Sequence, residues 1–289
     1  MTNIVVGVDG SKASGQALRL ALQEAQSRSC TVTAVHVWQL VAPASGWGGM
    51  GLELLPTNLD GLASSEFLLA EEIARAHKDV GADSVPVISL ARAGDPASEL
   101  EKAAQGASLL VVGRRSHGAV LSTLLGSVTS HVLHHAPCPV LVAPETPAEW
   151  KRVVVGLDGS ASSRGALAVA VELAMRHQLP LVAAHAWAYP AMPGFALPTP
   201  TPDLRPWLEA ELANLPAGLT VERQLLEGTT TQALLGLAGP GDVLVLGSRG
   251  QGGFHELLLG SVASQCANHA RGAVVVVRDA AAAKPSRPH

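Results

Sequence analysis

Aromatic residues are scarce in this chain: one Tyr, three Phe and five Trp among 289 residues, 3% in all. So few flat rings leave no stacking platform for single-stranded nucleic acid. Charge is also sparse. Charged residues make up 15%, the formal net charge is −4, and no run of Lys or Arg forms a basic stripe, which argues against a nucleic-acid groove. The three cysteines, Cys30, Cys138 and Cys266, lie far apart and outside any CxxC or Cys/His spacing suited to zinc. They read as reduced thiols of a cytoplasmic protein. No apolar run reaches membrane-spanning length, since ELLLG and AVVVV are core-sized. The opening MTNIVVGVDGS has no cationic start before a long apolar region, so no secretory signal is expected. The tail 280–289, AAAAKPSRPH, is expected to fray outside the fold.

What the chain has is a hydrophobic fraction of 47% and a sequence that repeats itself. NIVVGVDGSKASGQAL aligns with RVVVGLDGSASSRGAL, pairing Asp9 with Asp158. At the same offset TVTAVHVW aligns with LVAAHAW, pairing His36 with His185 and Trp38 with Trp187. Gly113 pairs with Gly247 at a smaller offset, so the second half is shorter in the Gly/Pro-rich stretch after the Trp and in the helix behind it. A period this long means two copies of one domain and not a solenoid. Domains are expected at 1–146 and 150–279, joined near Pro144 and Pro147.

In each half, short β-branched runs alternate with helical patterns. IVVGV, TVTAVHV, VPVISLA, SLLVVG and PVLVA read as strands, and VVVGL, LVAAHAW, VERQLL, VLVLG and VVVV repeat them. Near-continuous apolar strands imply burial on both faces. The expected fold is therefore α/β: two tandem doubly wound domains, each with a five-stranded parallel sheet. Ligands of such sheets sit beyond the carboxyl ends of the strands, where the strand order reverses.

Each half also has a glycine-punctuated passage from strand to helix. The second copy, VLVLGSRGQGGFHELLLGS, sets Gly247, Gly250, Gly260 and Ser261 as G-x2-G-x9-G-S. The first, LLVVGRRSHGAVLSTLLGS, has Gly113, Ser116, Gly126 and Ser127 at the same spacings, with serine in the second place. A glycine-rich turn followed by a helix start gathers backbone N–H groups suited to phosphate. Gly247 and Gly250 allow positive φ and close approach of a ligand. Ser248 and Arg249, or Arg114, Arg115 and His117, stand in the same loops, where an arginine either neutralises phosphate or is merely solvated. At the end of the first strand, Gly7 and Asp9, and later Gly156 and Asp158, read in two ways. Asp-Gly-Ser either makes the turn and caps the next helix, or offers a carboxylate to a ribose or base. His36 and His185, like His131, His134 and His135, form no Ser/His/Asp or metal spacing that recurs between the halves. They read as core or surface histidines, and no catalytic residue is assigned.

Together these residues resemble the universal stress protein family in its tandem, ATP-binding form, over about residues 3–143 and 152–278. The family's ATP signature, G-x2-G-x9-G-[S/T], is intact from Gly247 to Ser261, and VGVDGS, HVW and APCPVLV strengthen the likeness. The resemblance implies an adenine nucleotide α-hydrolase-like fold and ATP as ligand, with or without Mg2+. Asp9 and Asp158 would hold the adenosine end, and Val37 and Ala186 would meet adenine through their backbones. The motif glycines, with Gly118, Gly252, Ser127, Ser261 and Val262, would surround the phosphates. Relatives commonly pair through the final strand, here PVLVA and AVVVV. In a tandem chain the two halves can meet that pairing as an internal pseudo-dimer, with a homodimer as the alternative.

Ser116 departs from the motif. If its position needs a left-handed backbone, serine costs about 1 kcal/mol relative to glycine. Both halves are expected to bind ATP, the second more tightly. The expected role is a stress-response regulator whose nucleotide occupancy sets conformation or partner binding. The alternative is a slow ATPase or nucleotidyl-transfer enzyme, which would need a positioned base or a phosphate-binding Lys. No GxxxxGK[ST] occurs. The Trp/Pro-rich segments 38–57 and 187–207 read as lids, a partner surface or ordinary long connections.

Overall fold

The computed structural model describes residues 3–39, 58–114, 125–188, 203–251 and 259–278. Its contacts divide the chain into two compact units, Met1–Glu145 and Thr146–His289.

In the first unit, elements alternate without exception: β1 (Asn3–Gly7), α1 (Lys12–Arg28), β2 (Thr31–Trp38), α2 (Asn58–Val80), β3 (Val87–Ala93), α3 (Pro96–Ala103), β4 (Leu109–Gly113), α4 (Ser127–His135) and β5 (Val140–Ala143). The strands lie in the order β3-β2-β1-β4-β5, and every described pairing within the unit is parallel. In the second unit the same plan gives β6 (Arg152–Gly156), α5 (Ala161–His177), β7 (Leu181–Trp187), α6 (Arg205–Glu211), β8 (Val221–Glu227), α7 (Thr230–Leu237), β9 (Asp242–Gly247), α8 (Ser261–His269) and β10 (Ala273–Val277). Its order is β8-β7-β6-β9-β10, again parallel. Each sheet is doubly wound, with five strands.

Ile4, Val5 and Val6 of β1 and Val153, Val154 and Val155 of β6 have no exposed surface, which is why these strands read as unbroken apolar runs. The rule relaxes at β3 and β8, which lie at one end of each order, and there Ile88 and Glu222 face solvent. Strand β3 starts at Val87, not Val85. Pro86 has no N–H to give the ladder, and only its carbonyl serves, accepting the Val32 N–H at 3.0 Å. The shortening of the second half falls where the sequence alignment put it. Helix α2 has 23 residues and its counterpart α6 has 7. Most of the Trp/Pro-rich segments lies outside the described residues.

In each unit the chain adds strands outward on one side of the first strand, then returns to add the fourth and fifth on the other. The order therefore reverses between β1 and β4, and between β6 and β9. The splayed loops at those carboxyl ends leave a crevice.

Candidate functional site

The Asp-Gly-Ser turns have the same geometry in both units. Ser11 N–H donates to Asp9 Oδ1 at 2.9 Å, and Ser160 N–H to Asp158 Oδ1 at 2.9 Å. The serine then caps the following helix: Ser11 Oγ and Ser160 Oγ each accept the N–H three residues on, from Ser14 and Ser163, at 3.1 Å. Gly10 and Gly159 bend the chain with φ of 77° and 80°, values that an L side chain resists. The capping role is therefore met in full. It does not exhaust the aspartate, because Asp9 and Asp158 also line the crevice of their units.

In the second unit the other carboxylate oxygen meets the motif loop. Gln251 N–H donates to Asp158 Oδ2 at 3.0 Å. A Cβ on Gly250 would lie 2.6 Å from the same oxygen. The Arg249 carbonyl accepts from Ser162 Oγ and, at 3.3 Å, from Ser160 Oγ. Gly260 N–H closes the loop by donating to the Ser248 carbonyl at 2.7 Å, as Gly126 N–H does to the Arg114 carbonyl at 3.0 Å. Helix α8 then begins at Gly260 with no side-chain cap, in contrast to the serine-capped α5. Its first-turn N–H groups are thus left for another acceptor.

These groups surround one cavity of about 430 Å3. Gly156 and Asp158 come from the end of β6, and Ala186 from β7. Gly247, Ser248, Arg249 and Gly250 form the loop side, and Gly260, Ser261 and Val262 the helix start. Leu234 of α7 and Leu246 supply an apolar wall. The first unit has a smaller counterpart of about 200 Å3, lined by Gly7, Asp9, Val37, Gly113 and Gly126, with Leu100 opposite Gly7. There Thr129 stands where the second unit has Ala263, and its hydroxyl donates to the Gly113 carbonyl at 2.7 Å.

The charge in the second cavity is held tightly. Burial pushes the Asp158 carboxyl up, but hydrogen bonds from Ser160, Ser163 and the Gln251 N–H outweigh it and keep the group below the usual carboxylate value. His185 Nδ1 lies 2.7 Å from the Leu157 carbonyl, and its ring packs 4.6 Å from that of Trp207 on α6. With a carbonyl as partner, Nδ1 carries the proton. His36 repeats the bond to the Val8 carbonyl at 2.7 Å.

The positive φ that glycine allows is not used at Gly247 and Gly250; among the motif and turn positions, left-handed backbone falls on Gly10 and Gly159. Gly247 is a glycine because helix α5 crosses it: a Cβ there would lie 2.7 Å from the Ser162 carbonyl carbon. Gly113 meets the backbone of Ala13 at the same 2.7 Å. Close approach by the helix backbone is real at both, and both glycines also line their cavities. Arg114 is 6% exposed and, like Ser127, is not among the residues lining the first cavity. Arg115, Ser116, His117, Gly118 and Gly252 lie outside the described residues. The sequence reading missed His185, Thr230 and Leu234 as lining groups, and Ser163, whose Oγ accepts the Asp158 N–H at 3.5 Å. The serine recurs at the same offset in both halves, a signal that was available. The α7 residues come from a helix with no motif at all.

Comparisons with known proteins agree with this architecture. The model of the Universal stress protein family matches residues 1–144 and again 149–278. Universal stress protein Rv1996 of Mycobacterium tuberculosis is 31% identical over 299 residues, covering 95% of this chain and 94% of that protein. Universal stress protein Rv2623 of the same organism is 31% identical over 305 residues, covering 96% of each. Among solved structures, a universal stress protein from Archaeoglobus fulgidus DSM 4304 aligns with a TM-score of 0.70 at 20% identity, covering 96% of this chain and 98% of its own, which speaks for the fold alone. With the family model matching once in each half and full-length relatives of the same extent, this chain belongs to the universal stress protein family as a tandem two-domain member.

Proposed function

We propose that the chain is an ATP-binding regulatory protein, with the second unit as its principal site. The observation that carries this reading is the cavity of about 430 Å3, where a carboxylate, a glycine loop and an uncapped helix start converge. A volume of this size suits a ligand of nucleotide dimensions. Asp158 has lone pairs to spare for ribose hydroxyls, since each carboxylate oxygen accepts only one of the described backbone bonds. Leu234, Leu246 and the Ala186 backbone suit a flat base. Gly250, Gly260 and Ser261 would meet the phosphates, with the dipole of α8 favouring their charge. Among the described residues no cluster of His, Cys, Asp or Glu could hold a metal, so any Mg2+ would ride on the phosphates and waters. The smaller first cavity, with Thr129 in its lining where the second has Ala263, supports weaker occupancy there.

A regulatory role fits the chemistry better than turnover. Hydrogen bonds hold the Asp158 carboxyl below its usual value, which makes it a weak base, and no Lys is among the described residues lining the cavity to hold a transferring phosphate. Mass spectrometry of the purified protein, followed by timed incubation, tests the reading. ATP that co-purifies or binds and stays intact is the expected result. Steady release of ADP or AMP favours the enzyme, and no nucleotide binding at all removes the proposal.

A further inference from the structure

The two copies differ at a position outside the glycine motif. Ser11, Lys12, Ala13 and Ser14 open α1, and Ser160, Ala161, Ser162 and Ser163 open α5. The capping serine and the serine under the aspartate are shared, but Ser162 has no hydroxyl counterpart, because its partner is Ala13. Ser162 is 4% exposed and its Oγ donates to the Arg249 carbonyl, inside the motif loop. Ser160 Oγ, which already accepts the Ser163 N–H, reaches the same carbonyl only at 3.3 Å. Ser162 is therefore the main tether.

The direction of that carbonyl matters for the next atom. In a trans peptide the C=O of one residue and the N–H of the next point to opposite sides. Pinning the Arg249 carbonyl against the start of α5 turns the Gly250 N–H away from α5. The far side is the cavity: Gly250 lines it, and its nitrogen lies 3.9 Å from where a Cβ on Gly260 would sit, at the start of α8. A flipped peptide would offer that anion its carbonyl, a repulsive contact. Gln251 fixes the other end of the turn through its bond to Asp158.

We propose that Ser162 is a positioning residue of the second site. Its hydroxyl sets the Arg249–Gly250 peptide so that the Gly250 N–H faces an anionic group in the cavity, and Ala13 leaves the first site without that setting. The proposal rests on the nucleotide reading of the cavity. It adds a cause of unequal sites that lies outside the glycine motif and is independent of Ser116.

Titrating the full chain, labelled with 15N-glycine, with ATP tests it. The Gly250 amide reports the second site alone and is assigned by its loss in Gly250→Ala. In the wild type this amide is expected to move downfield on saturation. In Ser162→Ala the downfield shift is lost and the affinity read at the second site falls about fivefold, the worth of one hydrogen bond. The unliganded melting temperature falls by only about 2–4 °C, the loss expected for one buried hydrogen bond. A Gly250 shift and affinity unchanged by Ser162→Ala overturn the positioning role while leaving nucleotide binding intact. No glycine shift in the wild type overturns both readings together. If Ser162→Ala does not fold, Ser162→Cys, which keeps the volume but is a weaker donor, carries the test: the downfield shift of Gly250 and the affinity are both reduced, and wild-type values of both refute the proposal.

Discussion

Gly250→Ala is the sharpest perturbation of the candidate site. The backbone there is outside the left-handed region, so alanine meets no conformational penalty and the effect is one of contact alone. The added Cβ would lie 2.6 Å from Asp158 Oδ2, whereas ordinary contacts begin near 3.4 Å. The loop must withdraw by most of that difference, and the bond from Gln251 N–H to the carboxylate, now 3.0 Å, is lost or stretched. A hydrogen bond to a charged group is worth about 1.5–3 kcal/mol, so ATP affinity at the second site should fall by about ten- to a hundredfold. The same change shows in acid. Asp158 has a depressed carboxyl in the folded protein, so its stabilisation is present above the unfolded value of 3.8 and is lost as pH falls through the folded value. Removing the Gln251 bond raises the folded value towards 3.8, so the variant has less of this stabilisation to lose and its loss is complete at a higher pH. Calorimetric ATP titration at neutral pH and acid unfolding followed by circular dichroism read the two effects. An ATP affinity within about twofold of the wild type, with an unshifted acid profile, would refute the account of Gly250 as the partner of Asp158.

Three further outcomes follow from the packing. Gly247→Ala places a Cβ 2.7–2.8 Å from the backbone of Ser162 and Ser163, which cannot rotate away, so urea unfolding should lose about 2–3 kcal/mol; an unchanged midpoint contradicts it. Arg152 makes a bidentate pair with Asp242 at 2.9 and 3.0 Å, and Asp242 is 5% exposed. Arg152→Ala strands that carboxylate with the Gly239 N–H as a described partner and should cost about 2 kcal/mol, less than a fully buried pair because Arg152 itself is partly exposed. Burial pushes the thiols of Cys138 and Cys266 up to about 12, so neither should react with a thiol reagent at pH 8 until urea is added. Rapid labelling of either in the native protein would disprove this burial.

Strand identity, the duplication and the end of β1 were legible because each rests on local chemistry. Val-rich runs make strands buried on both faces, and Asp-Gly-Ser makes a turn and a cap wherever it falls. The glycine motif was legible as a motif but not in its mechanism. Gly247 and Gly250 read as glycines that free the backbone for a ligand, yet one is also small for α5 and the other for Asp158, reasons set by residues far away in the chain.

The sequence by itself therefore determined the two-domain α/β plan, the family and the residues gathered at each strand end. Only the tertiary structure decided that the two sites are unequal in size, about 430 and 200 Å3. It alone also brought His185, Leu234 and Ser162 to the second site. The physical reason is that propensity, capping and hydrophobic pattern act within a few residues. A cavity is the volume left between elements, and its shape follows from how α5, α7 and α8 cross the sheet.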